Sequence, residues 1–177
     1  MIRLQMAGTK PVIWLFGDEA AFEVRNSLQR LKPAELDVRC YAFTAGTFDS
    51  VIDAQLLMAI GGGTQPATIV LIAGAYDALF SAMAGNGAQD AAAHITKRMQ
   101  RLQSTLQMRG FHNIPFISYC SLNEKSAFVN VGLPPVWAEQ VCRTDVGFSD
   151  VYLDANAMLE TLLFRLGFGK DIGHESS

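Results

Sequence analysis

The chain is poor in cysteine and in charge, and it has no long apolar run. Its 177 residues hold three cysteines, Cys40, Cys120 and Cys142, with no C-x-x-C pair and one odd thiol under any pairing. That usage excludes a disulfide framework and a zinc-finger-type site, and it fits a reducing, cytoplasmic setting. Cys40 and Cys120 fall inside apolar, strand-like runs, where a thiol behaves as a small hydrophobe. Charged residues make up 18% of the chain and the net charge is −3, so no basic surface is available for direct nucleic-acid contact or for an anionic membrane. Lys97, Arg98 and Arg101 form one local basic cluster, which reads as a solvated helix face. No window approaches the roughly 18–20 continuous apolar residues of a membrane span. The N-terminal MIRLQMAGTKP lacks the apolar stretch of a secretory signal. His94, His112 and His174 share no ligand-like spacing, and Gly61-Gly62-Gly63 precedes a strand without the Lys-Ser or Lys-Thr of a phosphate loop. No metal and no cofactor are expected.

What the chain does have is apolar patterning, since half of its residues are hydrophobic. The length suits one well-buried domain. We place an arm at residues 1–10, an α/β domain at 11–166 and a tail or linker at 167–177. The apolar run Val12 to Phe16, bounded by Pro11 and Gly17, reads as a strand buried on both faces. Phe22, Val24, Leu28 and Leu31 follow near a helical period, so Asp18 and Glu19 sit where a strand hands over to a helix N-terminus. Leu36 to Phe43 reads as a second strand, Val51 to Ile60 as a short helix, and Thr68 to Ala73 as the central strand. A loop at residues 84–90 leads to a helix from Ala91 to about Met108, with Ile95, Met99, Leu102 and Leu106 as its apolar stripe and Gly110 as its left-handed cap. Ile114 to Cys120 gives a fourth strand with its proline near the start. Pro134-Pro135 divides the next segment and leaves a short helix around Val136 to Cys142. A fifth strand at Asp150 to Leu153 and a helix at Ala155 to Leu166 complete the pattern. Alternating strands and helices imply right-handed crossovers and a doubly wound parallel sheet. The expected fold is a flavodoxin-like, five-stranded, three-layer α/β sandwich of order 2-1-3-4-5.

In element order, residues 10–166 resemble a bacterial response-regulator receiver domain. The acid pair Asp18-Glu19 resembles the receiver's metal-holding acids, and Gly147 to Leu153 resembles its last strand, with Tyr152 at the aromatic switch position and Cys120 or Ser121 at the hydroxyl position. The receiver's phosphoacceptor position is occupied by Ala73-Gly74, and its lysine position by Asp154-Ala155, while Lys125 does not match. The resemblance therefore implies a non-phosphorylatable regulatory domain that works through a protein partner or self-association. Ile172-Gly173 and Ser176 in the tail are loosely similar to the entry into the ATPase domain of enhancer-binding transcription activators, which implies a place in a transcription regulator. Asp18, Glu19 and Asp77 would then form a degenerate acidic pocket with no catalytic residue, and Trp137 is the candidate interface anchor.

A second resemblance is to the SGNH, or GDSL-type, hydrolases. Gly17-Asp18-Glu19 is similar to their first block, Ala45-Gly46-Thr47 to the glycine block, Gly74-Ala75-Tyr76-Asp77 to the G-x-N-D block, and Asp171-Ile172-Gly173-His174 to the D-x-x-H block. Glu19 stands at the nucleophilic serine and Tyr76 at the oxyanion-hole asparagine, so this resemblance implies a hydrolase fold without acyl transfer. A third reading is a small-molecule site, for a nucleotide-type ligand, at the C-terminal edge of the strands.

Overall fold

The computed structural model describes residues 10–31, 36–111, 113–121, 132–134, 136–143 and 146–148. Four strands form one parallel sheet: β1 (Val12–Gly17), β2 (Asp37–Ala42), β3 (Thr68–Ala73) and β4 (Phe116–Cys120), in the order β2-β1-β3-β4. β1 runs in register with both neighbours, Val12 opposite Asp37 and Ile13 opposite Thr68, and β3 pairs Ile69 with Phe116. This agrees with the first four members of the expected order. The sheet is four-stranded among the described residues; the expected fifth strand at 150–153 and the helix at 155–166 lie outside them.

The helices are α1 (Ala20–Leu31), α2 (Phe48–Ser50), α3 (Leu56–Gly61), α4 (Ala75–Met83), α5 (Ala88–Met108) and α6 (Trp137–Val141). A π-helical turn, Val51–Gln55, joins α2 to α3. They cover both faces of the sheet, which is why the strands read as continuous apolar runs. On one face Ile13, Leu15, Val70, Ile72, Ile117 and Tyr119 pack with Ala21, Val24 and Leu28 of α1. On the other, Trp14, Phe16, Ile69 and Leu71 pack with Phe48, Val51 and Leu56 and with the stripe Ile95, Met99, Leu102 and Leu106 of α5. Each fully buried Leu or Ile here contributes roughly 1.5–3 kcal/mol.

α5 ends as the sequence predicts. Gly110 has φ +92°, Phe111 N–H donates to Leu106 O at 2.9 Å and Gly110 N–H to Gln107 O at 3.1 Å, a Schellman closure. Arg98 and Arg101 do not merely face solvent. Arg98 Nη1 lies 2.9 Å from Asp49 Oδ1, and Arg101 reaches Asp53 at 3.7 Å, so the basic cluster ties α5 to the α2 region.

α4 is absent from the expected elements. Its sequence, AYDALFSAM, sits between Gly74 and the Gly-rich loop, and those breakers mask a good helix former. α5 starts at Ala88, three residues before the expected Ala91, and the α2 region starts at Phe48. There Thr47 and Ser50 form a capping box, Thr47 N–H donating to Ser50 Oγ at 2.9 Å and Ser50 N–H to Thr47 Oγ1 at 3.4 Å.

Candidate functional site

The site begins where β1 ends. Gly17 has φ +137°, and a Cβ there would stand 1.8 Å from Ile72 O, so only glycine lets β1 turn this close to β3. Asp18 N–H then donates to Ile72 O at 3.1 Å, fixing the first acid beside the central strand. The side chain of Gln55 holds Gly17 from behind: Gly17 N–H donates to Gln55 Oε1 at 3.0 Å, and Gln55 Nε2 donates to Gly17 O at 2.9 Å. Gln55 is 0% exposed, and the π-helical turn that carries it widens the backbone where its amide points inward. The sequence offers one faint signal for it. Gln55 stands on the same apolar helix face as Val51, Ile52 and Ala59.

Asp18 is 1% exposed. Its Oδ1 accepts the Ala20 N–H at 2.9 Å, a helix-capping contact, while its Oδ2 has no hydrogen-bond partner among the described residues. Burial pushes its carboxyl up from 3.8 to about 6, the Glu19 charge adds to the rise, and the neighbouring Ser121 hydroxyl and the Ala20 amide oppose it. Ser121 itself accepts the Ala75 N–H at 3.0 Å and so ties the end of β4 to the start of α4.

Glu19 is held differently. Its Oε1 accepts the N–H of Ala45 at 2.9 Å, and its Oε2 accepts the hydroxyl of Tyr76. Ala45 adopts φ +60°, an uncommon conformation for a residue with a Cβ, and thereby aims its amide at the carboxylate. A Cβ on the next residue, Gly46, would meet Gly17 O at 2.4 Å, so this loop is pressed against the β1 turn. Partial burial acts to raise the Glu19 carboxyl, but Tyr76 and Ala45 together outweigh it and hold it below its usual value. The same hydrogen bond, with burial and the Glu19 and Asp18 charges, pushes the Tyr76 phenol up from 10 to about 12.

Asp77, 8% exposed, accepts the Phe48 N–H on Oδ1 at 3.2 Å and leaves Oδ2 without a hydrogen-bond partner among the described residues. Burial, opposed by that amide and reinforced by the Asp49 and Asp18 charges, pushes its carboxyl up to about 7. The expected acidic pocket is therefore two neighbouring clefts. Asp18 and Glu19 line one of about 160 Å³ with Glu23, Tyr76 and Ser121. Asp77 lines another, of about 480 Å³, with Thr47, Asp49, Phe80, Asp90 and His94.

Of the remaining expected positions, Cys120 is buried at the end of β4, and Trp137 is 7% exposed and packs in the core, so its ring is not a surface anchor. Tyr152, Asp171 and His174 lie outside the described residues. Among the described residues no group of three or more His, Cys, Asp or Glu side chains could hold a metal ion, and no helix is long and apolar enough to cross a membrane.

Three of the four hydrolase-like blocks thus meet at one sheet edge: Gly17 to Glu19, Ala45 to Thr47, and Gly74 to Asp77. No family model matches the chain, and no curated protein matches it. Solved structures do. The lipase/acylhydrolase from Enterococcus faecalis superposes with a TM-score of 0.51 at 14% identity, over 84% of this chain and 72% of that one. The SGNH-hydrolase family esterase AlinE4 matches with a TM-score of 0.46 at 15% identity, over 89% of this chain and 93% of that one. The acetyl xylan esterase AlAXEase matches with a TM-score of 0.45 at 16% identity, over 90% and 78%.

The acylhydrolase match corrects the receiver reading, with its response-regulator, signal-transduction and transcription-regulation roles. Element order misled because a parallel sheet of order 2-1-3-4 serves many unrelated functions. The receiver's phosphoacceptor position is a buried alanine, Ala73. What the chain shares with the acylhydrolase, at this identity, is a layered α/β fold.

Proposed function

We propose that this is a hydrolase-fold domain that has given up serine acyl transfer and uses its sheet edge to bind a small ligand. One observation carries the reading: the Glu19 carboxylate, standing at the nucleophile position of the hydrolase-like motif, takes up both the Ala45 N–H and the Tyr76 hydroxyl. Acyl transfer needs a nucleophile and hydrogen-bond donors free to meet the developing oxyanion. Here the nucleophile position is a carboxylate, and the donors that flank it are already engaged. A second negative charge forming against Glu19 would be repelled.

The clefts support binding instead. Their acidic linings, Asp18, Glu19 and Glu23 in one and Asp49, Asp77 and Asp90 in the other, favour a ligand that carries positive charge or donates hydrogen bonds, and they repel phosphate. A short amine or polyol suits this edge better than a nucleotide. One sample tests both halves. The purified chain shows no turnover of a short-chain nitrophenyl ester, and diamines or polyols raise its Tm while nucleotides do not. Ester turnover that disappears in Glu19→Ala or His174→Ala sinks the first half, and a Tm rise with nucleotides alone sinks the second.

A further inference from the structure

The sequence shows no cysteine pair, yet the fold makes one. Cys120 ends β4 and Cys142 closes α6, and their Sγ atoms lie 3.1 Å apart across a separation of 22 residues. No disulfide joins them in this structure. A disulfide needs about 2.05 Å between sulfurs, so closure asks for a movement of about 1 Å. We propose that Cys120 and Cys142 are a modification site, a dithiol that closes to an intramolecular disulfide when it meets a small-molecule disulfide oxidant.

The pair is asymmetric in a way that sets the order of events. Cys142 is half-buried and Cys120 buried, so an oxidant in solvent reaches Cys142 first. Contact with Cys120 draws the Cys142 thiol below its ordinary value, against the opposing effect of burial, and the thiolate is the attacking form. The Cys142 thiolate attacks one sulfur of the oxidant, forming a mixed disulfide and releasing one thiolate. Cys120, deprotonated in turn, attacks the Cys142 sulfur, and the second thiolate leaves. Two protein thiols are oxidised, one small disulfide is reduced to two thiols, and no other reactant is needed. Cys40 stands apart on β2, where burial pushes its thiol up to about 11, so it stays reduced.

The staple would bear on the candidate site. Cys120 directly precedes Ser121, whose hydroxyl anchors the Ala75 N–H at the start of α4, the helix that carries Tyr76 and Asp77. Fixing α6 to the end of β4 restrains that corner in the unfolded chain as well as in the folded one. For a loop of this length the entropic effect corresponds to a Tm rise of about 7–14 °C.

The experiment equilibrates the full chain with oxidised glutathione and counts thiols under denaturing conditions. Three thiols fall to one, the mass drops by about 2 Da, a Cys120–Cys142 peptide appears in a non-reducing digest, and the Tm rise reverses with dithiothreitol. Cys40→Ser leaves the cross-link unchanged, and Cys142→Ser abolishes it. Retention of three thiols overturns the proposal, as does glutathione held on Cys142 without closure, or a cross-link between chains. Because the readout is the bond itself, the outcome is independent of whether the clefts bind a ligand.

Discussion

Asp77 makes the fold sensitive to pH in a direction opposite to that of an ordinary surface acid. Its carboxyl is pushed from 3.8 to about 7, first by burial, with the Phe48 amide opposing and Asp49 and Asp18 adding to the rise. A group whose native value is raised binds its proton more tightly folded than unfolded. Its contribution is complete below pH 3.8 and is lost as pH rises through about 7. A shift of that size corresponds to about 4 kcal/mol between those limits. Asp77→Asn keeps the shape and the acceptor for Phe48 N–H, which is 3.2 Å from Oδ1, but cannot ionise. The expected result is a variant close to wild type at pH 4 and more stable by about 2–4 kcal/mol at pH 8. Urea unfolding at pH 4, 6 and 8 reads this, with the buried Trp14 and Trp137 as fluorescence reporters. A variant that follows the wild-type pH slope, or that is less stable at pH 8, would refute the burial argument for Asp77.

Glu19 should behave in the reverse sense. Its lowered carboxyl contributes stability that is full above the unfolded value of 4.5 and is lost as pH falls through the lower native value. Tyr76→Phe removes the hydroxyl that Oε2 accepts, so carboxyl ¹³C NMR should show Glu19 titrating closer to 4.5, and an unchanged midpoint would disprove the pairing. Gln55→Ala removes the acceptor of the buried Gly17 N–H and one of the two donors to Gly17 O, which keeps the Phe43 N–H at 3.2 Å. Leaving that N–H unpaired costs about 1–3 kcal/mol before any cavity is counted, which corresponds to a Tm fall of roughly 2–12 °C by calorimetry. A fall of under about 2 °C would mean that Gln55 does not hold the turn.

The strands were legible because their causes are local. Val12 to Phe16 and Thr68 to Ala73 are apolar runs between breakers, and a sheet covered on both faces requires such runs. The α5 stripe was legible for the same reason, since Ile95, Met99, Leu102 and Leu106 repeat at helical spacing and all are buried. α4 was hidden by the glycines on either side of it, although Ala75, Ala78, Leu79 and Met83 are good helix formers. Gln55 was hidden because a glutamine on an apolar face reads as a solvated edge until Gly17 is brought against it. No spacing rule joins Cys120 to Cys142, whose contact is set by how α6 packs on the end of β4. The hydrolase-like blocks were visible as short motifs, and the structure adds what they do to one another.

That mutual arrangement explains why the acid pair cannot be read as two equivalent carboxylates. Asp18 and Glu19 are adjacent in sequence but meet opposite environments: Glu19 accepts two hydrogen bonds and keeps its charge, while Asp18 is buried with one oxygen unpaired among the described residues. A fixed anion at Glu19 makes ionisation of Asp18 harder, and the Asp18 charge in turn does so for Asp77. Near neutral pH the edge therefore holds one settled negative charge beside two carboxyls that exchange protons easily. Replacing Glu19 by serine alone would supply a hydroxyl and release the Ala45 amide, yet Tyr76 would still occupy the asparagine position and two titrating acids would still face the reaction centre. In the proposed reading, the loss of acyl transfer is thus distributed over Glu19, Tyr76 and the charge state of their neighbours, and no single substitution reverses it.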